Sequence, residues 1–203
     1  MDDQSQGKKE KKSHVWEVDG LNWYVEPRVA TESLLKVERF VGAIHDPSCG
    51  QGNIVRELIL AGYQATGTDV VRRAEGNDPW FTGTVDFLGC AYHGPPNIVM
   101  NPPFFRAKGA EAFIRKALAV ATGKVAVFVD IKFLAGSARA NGLFREFPPS
   151  RVWIITPRVS CPPGEVLMAG GKAEGGTADW CWLVFDKTAP SIGTSIGWLR
   201  AEA

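Results

Sequence analysis

The chain lacks a cysteine pair spaced for a metal, an apolar run long enough for a membrane span, a leader-like start, and any strong net charge. Each absence removes a class of protein. Cys49, Cys90, Cys161 and Cys181 lie far apart with no C-x-x-C among them. That argues against a zinc site and against a disulfide framework, so no metal is expected and the cysteines read as reduced, buried thiols. No apolar run approaches the ~20 residues that cross a bilayer. The first residues, MDDQSQGKKEKKS, lack the apolar centre of a signal peptide, which points to a cytoplasmic protein. No segment repeats another. A net charge of +1 leaves no nucleic-acid footprint by itself.

What is present fits one ordinary globular domain. With 203 residues, 45% of them hydrophobic, the chain can bury a sizeable core. Residues 1–13 read as a disordered, Lys-rich tail and residues 14–203 as a single domain. Charge is unevenly spread. Residues 14–103 carry six Lys or Arg against eleven Asp or Glu, whereas residues 104–158 carry ten against three. The basic stretch suits a polyanionic partner, although basic residues also solvate ordinary helix faces.

Apolar spacing predicts a helix over residues 30–40, then a buried strand over 41–45 that ends in a Gly-containing turn. NIVRELILAG reads as an amphipathic helix stopped by Gly62. YQATGTDV is a second strand, GTVDFL a weaker third, and NIVMNPPF a short apolar fourth. AEAFIRKALAVATG is a helix ended by Gly123, and KVAVFVDIKFL a β-branched fifth strand. Residues 135–147 read as a helix, RVWIITP as a sixth strand and WCWLVFD as a seventh. Alternating strands and helices imply an α/β fold: a Rossmann-like, seven-stranded, mostly parallel sheet with helices on both faces and a C-terminal antiparallel hairpin strand. In such sheets ligands bind outside the carboxyl ends of the strands, at the switch point. DPSCGQG, TDV, VDF and NPPF all fall at or near predicted strand ends, so the four should converge on one crevice.

Gly50 and Gly52 allow a tight turn and close approach to a ligand. With no third Gly and no G-K-[ST], a phosphate cradle and a dinucleotide dehydrogenase are disfavoured. Asp46 beside them suits a cationic or hydroxylated ligand, or is a plain turn aspartate. Asp69 can accept two hydrogen bonds from ribose hydroxyls. Asp86 and Phe87 could meet an adenine, the acid at its amine and the ring on its face. In NPPF the proline pair removes two N–H donors and fixes two φ angles, making a stiff loop rather than a continuing strand. It holds two acceptors rigidly, the Asn101 side-chain carbonyl and the Pro102 backbone carbonyl. Together they could engage both hydrogens of an exocyclic amine and draw its lone pair out of conjugation. Phe104 could stack on the heterocycle, a contact worth ~1–3 kcal/mol in single-stranded complexes.

These motifs, in this order, resemble the class I S-adenosylmethionine-dependent methyltransferases. They are most similar to the amino-methyltransferases with an [N/D/S]-P-P-[Y/F] motif, above all the N6-adenine DNA methyltransferases. WYVEPRVATESLLKVERF is similar to the segment that precedes the glycine motif there and touches the methionine part of the cofactor. The resemblance implies S-adenosyl-L-methionine as cofactor, with Asp46, Pro47, Gly50 and Gly52 toward its methionine end. It implies Asp69 and Val70 at the ribose, Asp86 and Phe87 at the adenine, and Asn101 touching cofactor as well as substrate. Asn101, Pro102, Pro103 and Phe104 would form the catalytic loop.

No separate target-recognition segment interrupts the motifs. Specificity is therefore expected to be low, to come from loops, or to be supplied by a separate specificity subunit. The Gly-rich stretch 160–179, with Arg158, Lys172 and Trp180, is a candidate for closing over substrate. Arg106, Lys108, Arg139 and Arg145 are candidate phosphate contacts. The motif leaves the amine open: DNA adenine leads, RNA adenine or guanine and a protein glutamine keep the chemistry, and an inactive nucleic-acid-binding scaffold is the rival of another class.

Overall fold

A computed structural model of the chain describes residues 23–105, 107–173, 176, 178–189 and 193–201. The expected tail, the stretch up to residue 22, and Arg106 lie outside them. The elements run α1 (Arg28–Val37), β1 (Ile44–Asp46), α2 (Asn53–Leu60), β2 (Ala65–Asp69), β3 (Phe81–Thr84), β4 (Asn97–Met100), α3 (Lys108–Val120), β5 (Lys124–Asp130), α4 (Ser137–Asn141), α5 (Leu143–Glu146), β6 (Arg151–Thr156), α6 (Gly164–Met168), β7 (Trp180–Asp186) and β8 (Ser195–Arg200).

The strands form one sheet in the order β3-β2-β1-β4-β5-β7-β6-β8. β1 to β5 are parallel, β7 runs antiparallel to both β5 and β6, and β8 is parallel to β6. The period-2 alternation of side chains builds two core layers. From β5, Val125, Val127 and Val129 pack with Ala110, Ile114, Ala117 and Leu118 of α3. Ala126 and Phe128 face the other way, toward Ala30 and Leu34 of α1 and Ile54, Val55 and Leu58 of α2. Helices thus cover both faces, which explains why these strands read as continuous apolar runs. β1 neighbours both β2 and β4, so the sheet reverses its winding there and opens a crevice beyond the carboxyl ends.

Four expectations need correction. An eighth strand is present; it is an edge strand with Ile196 and Trp198 60% and 66% exposed, so its sequence lacks the apolar run of a buried strand. The fifth strand stops at Asp130, whose carboxylate accepts from the Lys132 N–H at 2.8 Å and opens a 3-10 turn, Ile131–Ala135. The helix expected over 135–147 is two short ones, divided by Gly142, whose backbone leaves the helical region. The third strand ends at Thr84, earlier than expected, which leaves Val85, Asp86 and Phe87 for the crevice.

At the opposite end of the sheet, α1 is pinned by charge. Glu38 accepts from Lys124 at 2.8 Å, from Arg151 and from the Trp153 indole at 2.9 Å, and Arg151 also meets Asp186 at 3.0 Å. The four cysteines are free, with Cys90 the half-buried one.

Candidate active site

A cavity of about 320 Å³ opens at the switch point. It is lined from four directions: Trp23, Tyr24, Val25 and Glu26 before α1; Pro47 to Gln51 after β1; Asp69, Val70 and Arg73 after β2 with Val85 to Leu88 after β3; and Asn101, Pro103 and Phe105 after β4, with Phe113 of α3. The strap 23–26 is held by the segment after β6: the Val25 N–H donates to the Pro162 carbonyl and the Gly164 N–H to the Trp23 carbonyl, both at 2.9 Å.

Gly50 and Gly52 both have positive φ, at +51° and +87°. A Cβ on Gly50 would press into the Trp23 indole, and one on Gly52 would collide with the Trp80 ring. The first glycine therefore seats the strap, and the second lets α2 begin against a buried tryptophan. Asp46 is 1% exposed and stands behind the wall, its Oδ1 accepting from the Ser48 N–H at 3.0 Å. Burial, together with the nearby Glu26 and Asp69, raises its pKa well above the usual carboxylate range. Asp46 and Gly52 are thus not at the cavity surface, whereas Pro47, Gly50, Asp69, Val70, Asp86 and Phe87 are.

Asp69 accepts from the Gly50 N–H at 2.9 Å, from the Val71 N–H at 3.1 Å and from Arg73 at 3.0 Å. Arg73 stacks on Trp23 at 4.5 Å, so a cation and an indole meet at the edge of the cavity. Asp86 accepts from the Leu88 N–H at 3.0 Å. Phe87 is only 2% exposed and packs on Phe113 at 5.4 Å, more a cavity floor than an open stacking face.

The Asn101 side chain is the most constrained group here. Its Nδ2 donates to the Tyr24 carbonyl at 2.9 Å and to Glu26 Oε2 at 2.8 Å, and its backbone carbonyl accepts from Ser48 Oγ at 3.2 Å. Its Oδ1 is buried with no hydrogen-bond partner. A buried acceptor left unsatisfied costs about 1–3 kcal/mol, which a ligand with an N–H can recover. Pro102 is buried and Pro103 lines the cavity. Phe104 packs against both core layers and lies 6.0 Å from Trp180. The next residue, Phe105, with φ +38° and 45% exposure, is the ring at the cavity.

Several of the candidate substrate contacts are engaged within the fold. Trp180 belongs to β7, is buried, and stacks on Phe128 at 4.8 Å; it is core, not loop. Arg158 pairs with Asp179 at 2.5 Å, and Arg139 lies over the Phe133 ring at 4.4 Å while donating to the Phe133 carbonyl. Lys108, Arg145 and Lys172 are exposed. The basic stretch is partly consumed internally, since Lys124 and Arg151 hold Glu38 and Arg115 holds Glu111 and Glu146.

Sequence reasoning passed over Glu26, Arg73, Phe105 and Phe113. Arg73 carried a usable signal, lying four residues after Asp69. Glu26 lay inside the segment likened to the cofactor-contacting one, but its partner Asn101, 75 residues away, could not be read from the sequence. Among the described residues no three His, Cys, Asp or Glu are grouped to hold a metal, and no helix is long and apolar enough to cross a membrane.

No protein-family model and no curated protein sequence matches the chain. Solved structures do match in fold. A candidate RNA methyltransferase from Pyrococcus horikoshii is 17% identical with a TM-score of 0.61, over 83% of this chain and 88% of that one. A modification subunit of a candidate type I restriction enzyme from Vibrio vulnificus is 15% identical with a TM-score of 0.52, over 87% of this chain and 46% of that one. Magnesium protoporphyrin IX methyltransferase from Synechocystis, solved with bound S-adenosylmethionine, is 15% identical with a TM-score of 0.51, over 78% and 76%. The architecture is therefore the Rossmann-like α/β fold that these proteins share, as the alternation of strands and helices led one to expect; identities this low speak to fold alone.

Proposed function

We propose that this chain is an S-adenosylmethionine-dependent methyltransferase acting on an exocyclic amine of a nucleic-acid base, adenine N6 in DNA above all. The observation that carries the reading is Asn101: its amide nitrogen is tied off on both hydrogens while its buried Oδ1 has no partner. A buried acceptor without a partner, in a residue of the cavity wall at the switch point, would be completed by an N–H donor that reaches it on binding.

The cavity fits the cofactor. Among the described residues, Glu26, Asp69 and Asp86 line it against one cation, Arg73, which suits a ligand carrying an ammonium and a sulfonium. Asp69 would hold the ribose hydroxyls, Gly50 and the strap the methionine part, and Asp86 with Phe87 the adenine. S-adenosylmethionine, when bound, supplies an electrophilic methyl group.

The rest belongs to the chain's own side chains. Asn101 Oδ1 and the Pro102 carbonyl accept the two hydrogens of the target amine, which frees the nitrogen lone pair from conjugation. Phe105, rather than the core-packed Phe104, offers its ring to the base. Trp23 and the strap exclude water from the methionine side of the cavity. A duplex substrate would need its target base extruded, at a cost of a few kcal/mol. Lys108, Arg145 and Lys172 are exposed cations for the phosphates, and a separate specificity subunit can supply the recognition that the loops lack. RNA is the second substrate class, and the cytoplasm the expected compartment.

Labelled S-adenosylmethionine offered with DNA, RNA and protein pools, followed by nucleoside analysis, tests the reading. N6-methyladenine in DNA, lost in Asn101→Ala, is the expected result. Label in RNA or protein moves the substrate. Cofactor binding without transfer to any pool points to a missing partner or substrate, and no cofactor binding points to the inactive scaffold.

A further inference from the structure

Glu26 is a buried carboxylate in the cavity wall, with a part in the site beyond the acid charge it offers the cofactor. It joins three parts of the site. Its backbone carbonyl accepts from Asn53 Nδ2 at 2.9 Å, its carboxylate takes the Ile54 N–H in the first turn of α2, and Oε2 accepts from Asn101 Nδ2 at 2.8 Å. The nearest cations are engaged elsewhere, Arg28 with Glu57 and Arg73 with Asp69. Asp46 from β1, Asp69 from β2, and the buried thiols of Cys49 and Cys161 make up its titratable surroundings, and none of them brings positive charge.

We infer that Glu26 is the positioning residue of the proposed amine methyltransferase: ionised, it holds the Asn101 amide so that Oδ1 faces the target amine, and protonated, it lets go. The inference rests on the amine-methyltransferase reading. An amide is nearly symmetrical in shape, so only its hydrogen-bond partners decide which end faces the cavity. The Tyr24 carbonyl and an ionised Glu26 are both acceptors, and together they claim both hydrogens of Nδ2. The bond to the carboxylate is charge-assisted and so is the stronger of the two. A protonated Glu26 carries a donor of its own, which competes for Oδ1, the atom the substrate needs. Burial raises the Glu26 pKa to about 7, which puts this change inside the working range of pH.

The test is Glu26→Gln, which keeps an acceptor and removes the titration. In the parent enzyme kcat should fall about tenfold per pH unit below neutrality, the behaviour of one essential base. In Glu26→Gln that acid limb should vanish. At pH 8 its kcat should lie about tenfold to a hundredfold below the parent, with the KM for S-adenosylmethionine far less affected, as for a small misplacement of a reacting group. A second readout needs no turnover. The side-chain amide resonance of Asn101, assigned by its loss in Asn101→Ala, should shift with a midpoint near 7 in the parent and stay fixed in Glu26→Gln. An acid limb that survives in Glu26→Gln, or an Asn101 amide indifferent to pH, overturns the inference. If the amide follows Glu26 but the protein neither binds S-adenosylmethionine nor transfers methyl, the activity reading falls and the coupling stands.

Discussion

Glu26 and Glu38 flank the same helix, both almost wholly buried, and they are treated in opposite ways. Glu38, at the C-terminal end of α1, is met by Lys124, Arg151 and the Trp153 indole. Burial alone would raise its pKa, yet these hydrogen bonds prevail and hold it below the ordinary value. Glu26, before α1, is met by an amide and a helix N-terminus with no cation, and burial raises it to about 7. One end of the molecule is compensated and rigid. The other keeps a buried glutamate that no described cation meets and an acceptor without a partner, a local cost of the kind found at functional sites.

The sharpest way to break this comparison is Asn101→Ala. Methyl transfer should fall by at least about 100-fold, since a fixed hydrogen-bonding group at the reacting atom is lost. The thermal midpoint should fall as well, because the Tyr24 carbonyl and the Glu26 carboxylate lose their common donor, which outweighs removal of the orphaned Oδ1. Next comes Glu38→Ala, which removes one of the two carboxylates that Lys124 and Arg151 share and leaves them Asp186. Denaturant unfolding should show a loss of about 1.5–3 kcal/mol, as expected when hydrogen bonds to a charged group are lost.

Glu26→Gln should do the reverse. Because the folded-state pKa lies above the ordinary 4.5, the contribution of Glu26 to stability is complete below 4.5 and is lost as pH rises through about 7. Above neutrality the variant should therefore be more stable than the parent, by something of order 3 kcal/mol, and near pH 4.5 the two should converge. Unfolding curves at a series of pH values read this directly.

His45 tests the acid side. Its ring is buried between Thr66 and Thr68, at 3.0 Å from each hydroxyl, and burial lowers its pKa to about 4. A depressed histidine contributes stability that is full above 6.5 and is lost as pH falls toward 4, opposite in sign to Glu26 over the same window. A His45→Asn variant should flatten the acid loss. Smallest of all is Arg158→Ala, which breaks an exposed pair with Asp179 and should change stability by less than about 1 kcal/mol.

Much of the fold was legible in the sequence because parallel strands buried on both faces write themselves as apolar runs, and because Gly62 and Gly123 mark helix ends. β8 was not, since an edge strand half open to water has no such run. The cavity was legible in kind. DPSCGQG, TDV, VDF and NPPF do meet at the carboxyl ends of β1 to β4. The rank of residues within it was less so. Asp46 and Gly52 read as ligands from their company but stand behind the wall, and Phe105 takes the cavity face expected of Phe104.

By itself the sequence determined the alternation of strands and helices, the stiffness of the Asn-Pro-Pro loop and the order of the acids, because each depends on residues close along the chain. Which atoms of those residues face the cavity was decided only by tertiary structure. The Asn101 amide has two ends of nearly equal shape, and what fixes its orientation is a carbonyl and a carboxylate contributed by a strap more than seventy residues away. Likewise, two glutamates of one chain acquire different acidities because the folded sheet brings cations to Glu38 and, among the described residues, none to Glu26.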